Sequence, residues 1–190
     1  MRKSYTILFA LLVLLFTATS AQALQSKTID RYNGASASAN WYETSGDTTT
    51  STYLSVTESS YGTDVYVEIY TYGPYSESWK YGYMCTQDDV LTIDKKLNSA
   101  SLSEVQVEVY DCYTGETEIL NIQADWVGQG AISKDSYTSR SQSGNYVWRS
   151  SGSSSYRDAS ATGSINGYDL GIGSYATLSN FKSAYMSMEK

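Results

Sequence analysis

The clearest order in this chain is a period of two. Between positions 64 and 72, Val65, Val67 and Ile69 alternate with Tyr66, Glu68, Tyr70 and Tyr72. Successive side chains of a strand point to opposite faces, so the aliphatic set marks a buried face and the tyrosines an outer one. Positions 101–112 repeat the pattern with Val105, Val107 and Val109. Positions 117–127 set Leu120, Ile122, Ala124 and Trp126 against Asn121, Gln123 and Asp125. Positions 78–86 carry Trp79, Tyr81, Tyr83 and Cys85 on one side. Less regular strands are read at 35–42, 50–58, 90–93, 146–148, 160–165 and 168–172, whereas 176–188 fits a strand or a short helix equally. Gly73-Pro74 and Thr114-Gly115 supply turn chemistry. Regularly spaced short strands without a helical period predict an all-β fold. The expected form is an antiparallel β-sandwich, immunoglobulin-like or Greek-key, with a small β-barrel as the alternative.

The N-terminus breaks this pattern. Arg2 and Lys3 precede an apolar run from Ile7 to Phe16, and Ala21-Gln22-Ala23 follows with small residues at the two positions a signal peptidase reads. A run of about ten residues is shorter than the roughly 20 that span a bilayer. The expectation is a signal peptide over 1–23, cleaved between Ala23 and Leu24, and a single secreted β domain over 24–190. That domain has no membrane span and works outside the cytoplasmic membrane, extracellularly or in a periplasm.

Composition narrows the chemistry. The formal charge is −7, and loss of Arg2 and Lys3 makes the remainder more acidic still. An acidic protein repels phosphate backbones, so no nucleic-acid partner is expected. There is no histidine. Ser-His-Asp and Cys-His mechanisms therefore lack their base, and histidine-built zinc sites are excluded. Gly128-Gln129-Gly130 lacks the lysine of a phosphate loop, and Asp88-Asp89 is too short for a calcium loop. No cofactor or metal is expected. Cys85 and Cys112 are an even count, which reads as a disulfide in an oxidising compartment, with free thiols the other reading. Such a bridge stabilises by roughly 3 kcal/mol in the chain-entropy model. It also requires the two strand faces to meet, placing Trp79, Tyr81 and Tyr83 beside Glu108 and Tyr110, unless a bulge near Asp111 turns Cys112 inward.

Two regions are candidates for function. Tyrosine occurs 19 times against three phenylalanines, and Tyr66, Tyr70 and Tyr72 form an outward row. Such a row stacks sugar rings or grips a protein, or simply packs on its cross-strand neighbours. The Ser/Gly-rich segment 134–157 holds Lys134, Arg140, Arg149 and Arg157 against Asp135 alone, and is read as a long hairpin or loop. With Trp148 it offers a second contact surface. Glu68 and Glu108 occupy matching points of two echoed strands, Val65 to Tyr70 and Val105 to Tyr110. A carboxylate pair of this kind is the one route left to glycoside hydrolysis, although a glutamate on a polar strand face is ordinarily a solvated charge. The favoured reading is a non-catalytic binding or structural module, its partner a polysaccharide or another envelope or extracellular protein. The alternatives are a glycan-degrading hydrolase and a subunit of an extracellular assembly that pairs through a sheet edge.

Asp94-Lys95-Lys96-Leu97-Asn98-Ser99-Ala100-Ser101-Leu102, the strand to Asp111, Thr114-Gly115-Glu116 and Trp126-Val127-Gly128-Gln129-Gly130 together carry a likeness. A Ser/Arg-rich stretch and the Ala159 to Gly163 strand extend it. The chain resembles a family of uncharacterised secreted all-β proteins of bacteria and some archaea. The resemblance implies an exported β domain and no particular activity.

Overall fold

In the computed structural model, which describes residues 27–189, the alternation becomes strand throughout. The strands are β1 (Lys27–Ser45), β2 (Thr48–Ser59), β3 (Gly62–Gly73), β4 (Ser76–Thr86), β5 (Leu91–Ile93), β6 (Ser99–Asp111), β7 (Thr117–Gly128), β8 (Ser133–Ser143), β9 (Tyr146–Ile165), β10 (Tyr168–Ile172) and β11 (Tyr175–Glu189). Every pairing is antiparallel. Followed from neighbour to neighbour, the pairs run β1-β2-β3-β4-β6-β7-β9-β11 and return to β1. Of the antiparallel forms expected, the pairing is that of the small barrel, closed and up-and-down. Closure leaves these strands no free edge where they pair on both sides. The signal peptide and the cleavage residues Ala21, Ala23 and Leu24 lie outside the described residues.

The inward residues are those the period of two marks. Leu54, Val56, Val65, Val67, Val107, Val109, Leu120, Ile122 and Trp126 are buried, while the intervening serines, threonines, tyrosines and acids face out. Apolar inside and polar outside is the reverse of a barrel built to stand in lipid. Where an indole enters the core its N–H is satisfied: Trp126 Nε1 donates to the Ser38 carbonyl at 3.0 Å and Trp41 Nε1 to that of Gly171 at 3.3 Å. The 94–98 turn feeds Leu97 into the core at φ 55°, with the Asp94 carboxylate accepting from the Lys96 and Asn98 amides.

Pairing settles three segments that the sequence pattern left open. The segment 176–188 is a strand, because it pairs with β1 on one side and β9 on the other and so closes the ring. The fragments at 146–148 and 160–165 are parts of one strand, β9, whose serine-rich middle has no apolar alternation to reveal it. The basic segment is a hairpin of β8 with β9. Here β8, β9, β11 and the start of β1 run on past the barrel mouth as a four-stranded lip, with β8 exposed along its whole length.

Candidate functional site: an aromatic wall

The outer faces of β2, β3, β4 and β6 meet in register. Tyr66 pairs with Tyr83, Tyr70 with Trp79, and Tyr81 with both Glu68 and Tyr110; Tyr53 stands across from Glu68 on the other side. The rings form three clusters on this face: Trp79–Tyr81 and Tyr81–Tyr110 have centroids 5.9 and 6.2 Å apart, Tyr53–Tyr66 6.2 Å apart, and Tyr70 stacks on Tyr72 at 5.6 Å. Trp79, Tyr81, Tyr83 and Tyr110 are all exposed.

Carboxylates tie the ring edges down. Glu68 accepts from the Tyr66 hydroxyl at 3.1 Å and from Trp79 Nε1 at 2.9 Å. Glu77 accepts from Tyr70 at 3.0 Å and from Tyr113 at 2.7 Å. Asp64 accepts from Tyr83. The electrostatics follow from these bonds. The bond to Asp64 pushes the Tyr83 phenol up to about 12, and that to Glu77 does the same for Tyr113. Burial, and then Glu68, raises Tyr66. In return the Tyr113 and Tyr70 hydroxyls hold Glu77 below the usual carboxylate range. The raised phenols stay donors at neutral pH and Glu77 stays ionised, so the rings are held by their edges. A surface whose rotamers are already fixed loses less entropy when it binds.

The residues singled out in the sequence divide between places. Tyr66, Tyr70 and Tyr72 lie on the wall. Glu68 and Glu108 share its outward face but stand two strands apart and two residues out of level, a separation of roughly 12 Å. Carboxylate pairs in glycosidases are closer, at roughly 5–10 Å, and sit in a cleft. Arg140 and Arg149 face each other across β8 and β9 on the lip. Trp148 points to the opposite side of β9 from Arg149 and stacks on Tyr146 at 6.0 Å. Arg157 is a clamp: its guanidinium donates to the carbonyls of Gly130 at 3.1 Å and Leu97 at 3.4 Å, and to Asn98 Oδ1 at 2.7 Å.

The disulfide is a correction. Cys85 and Cys112 are both free and exposed. They do lie on the same outer face, as anticipated, but the Tyr81–Tyr110 register brings Cys112 level with Trp79. Six residues of strand, roughly 20 Å, then separate the thiols, against a Cα limit of about 7 Å for a bridge. Spacing along the sequence carried no information about that register.

Tyr53, Asp64, Glu77 and Tyr113 belong to the wall and escaped the sequence reading. Their signal is cross-strand level, which a single strand's pattern does not contain. Among the described residues no group of three His, Cys, Asp or Glu side chains is placed to hold a metal ion. No family model, curated protein or solved structure matches the chain. The resemblance noted above therefore rests on its motifs alone.

Proposed function

We propose that this is an exported, non-catalytic binding module that grips a polysaccharide with the aromatic wall on β2, β3, β4 and β6. The observation that carries this reading is the set of outward rings held at their edges by Glu68, Glu77 and Asp64. Open ring faces stack on the apolar faces of sugars, and the carboxylates' remaining lone pairs accept from sugar hydroxyls. The wide gap between Glu68 and Glu108 supports binding over hydrolysis. The test is retention of the purified protein on envelope material and insoluble polysaccharides, with Tyr70→Ala beside it. Retention that the substitution abolishes without changing the melting temperature supports the reading. Equal retention of both proteins, or none, overturns it.

A second reading has one observation in its favour. Among the described residues β8 pairs with β9 alone, so its other edge, Gln142 apart, can receive the backbone of another chain. A subunit of an extracellular assembly would then form concentration-dependent oligomers by light scattering, insensitive to added sugars.

A further inference from the structure

The lip has a second face, a continuation of the barrel's inner lining rather than of its outer wall. Register places six basic side chains on it: Lys27 and Arg31 of β1, Lys182 of β11, Arg149 of β9, and Lys134 and Arg140 of β8. Along these stretches no Asp or Glu shares the face; Asp30, Asp135 and Glu189 all fall on the other side. The nearest inward-facing carboxylate is Glu58 of β2, opposite Ala35. Arg140 stands directly across from Arg149, an arrangement that is unfavourable without a counter-charge. The one ion pair among the described residues is elsewhere, between Lys80 and Glu118. In a chain of net charge −7, this is a segregated cationic surface.

The same face is concave and hydroxyl-lined. A hollow of about 590 Å³ lies over two rungs of the lip, Arg31–Ala184–Ser151–Thr138 and Asn33–Lys182–Ser153–Ser136. That volume is in the range of small-ligand sites. We propose that this face binds a linear acidic polysaccharide. Its carboxylate or sulfate groups meet the basic side chains, and its ring hydroxyls meet the serines, Thr138 and Asn33.

Three features select that ligand. The charges are spread rather than convergent: Lys134 and Arg140 are six residues apart on β8, roughly 20 Å, which matches repeated anionic groups and not a single phosphate. Tyr32 and Tyr137, which also border the hollow, belong by register to the rung that faces the other side, so this face has no ring on which a nucleobase would stack. Hydroxyls, Asn33 and the Arg31 and Lys182 side chains lie over the hollow beside Ala184, whereas the apolar Ile29, Met186, Met188 and Val147 lie on the two rungs beyond it, so the hollow itself offers acyl chains little to enter. The acidic barrel repels the same polymer and so directs it to the lip.

The experiment measures binding of polygalacturonate and chondroitin sulfate at low salt. Neutral dextran, phosphatidylglycerol vesicles and the protein's own sedimentation serve as comparisons. The expected result is binding of at least one polyanion and none of dextran, released as salt rises from about 50 to about 200 mM. Arg149→Gln with Lys182→Gln is expected to weaken it by about tenfold with the melting temperature unchanged. Binding of neither polyanion, equal binding by the double variant, binding to the vesicles alone, or salt-sensitive self-association that the double variant abolishes would each overturn the proposal.

Discussion

At the scale of single residues, carboxylates set both the local order and the response to pH. Asp111 ends β6 pointing inward and is buried, where its Oδ1 accepts from the Tyr113 and Thr114 amides and its Oδ2 from Ser78. The Tyr113 amide first, with help from Thr114 and Ser78, holds its carboxyl below the usual range; burial opposes them. Asp94 and Glu77 are lowered by hydrogen bonds of the same kind. A carboxyl lowered in the folded state stabilises it above the unfolded value near pH 4, and that stabilisation is lost as pH falls through the folded value. The melting temperature is therefore expected to fall steadily below about pH 4, with a shallower fall in Asp111→Asn. Identical slopes in the two proteins would remove Asp111 from the account. The thiols respond to the same chemistry. Both are expected to be alkylated in the native protein. Asp64, hydrogen-bonded to Cys85, pushes that thiol up, so Asp64→Asn should speed alkylation of Cys85 near pH 8. An unchanged rate would mean that access, not thiolate fraction, limits the reaction.

At the scale of elements, the weakest join in the ring is between β4 and β6, which pair directly only over Lys80–Asp111, Tyr81–Tyr110 and Gly82–Val109. Gly82 is there because nothing larger fits: a Cβ would stand 2.5 Å from the Glu108 carbonyl and 2.7 Å from Val109 Cγ1. Gly82→Ala is expected to cost about 1–3 kcal/mol, read as a lower urea midpoint at unchanged slope. A neutral result would mean that the seam moves aside freely. This seam also explains what was legible in the sequence. The alternation of Val65, Val67, Val107 and Leu120 is local, and those strands and their buried faces were readable one at a time. The ring is not local. Whether Tyr81 meets Tyr110, and whether Cys85 comes level with Cys112, depends on how two strands slide past each other. For that reason the tyrosine row was legible, the carboxylate ties to Glu77 and Asp64 were not, and the disulfide was misread. The lip was hidden for another cause: the serine-rich middle of its strands has no regular apolar alternation to write into the sequence.

At the scale of the whole molecule, closure and lip have opposite consequences. Strands in the ring pair on both sides and bury one face, so breaking any of their inner hydrogen bonds means opening the core. Among the described residues β8 pairs with β9 alone, its side chains are exposed, and it lies outside the ring. Local opening is cheapest where little apolar surface is lost. Amide hydrogen exchange should therefore be fastest along β8 and along 27–33 of β1, where pairing with β2 has not yet begun. The amides of Val65, Val67 and Val107 should exchange only with global unfolding. The lip can then fray or reshape around a ligand while the barrel keeps the wall rigid, so a polyanion on the basic face should slow exchange in β8 and leave β3 unchanged. If β8 is instead as protected as β3 in the protein alone, and loses that protection on dilution, its edge is covered by another chain and the assembly reading gains over the binding module.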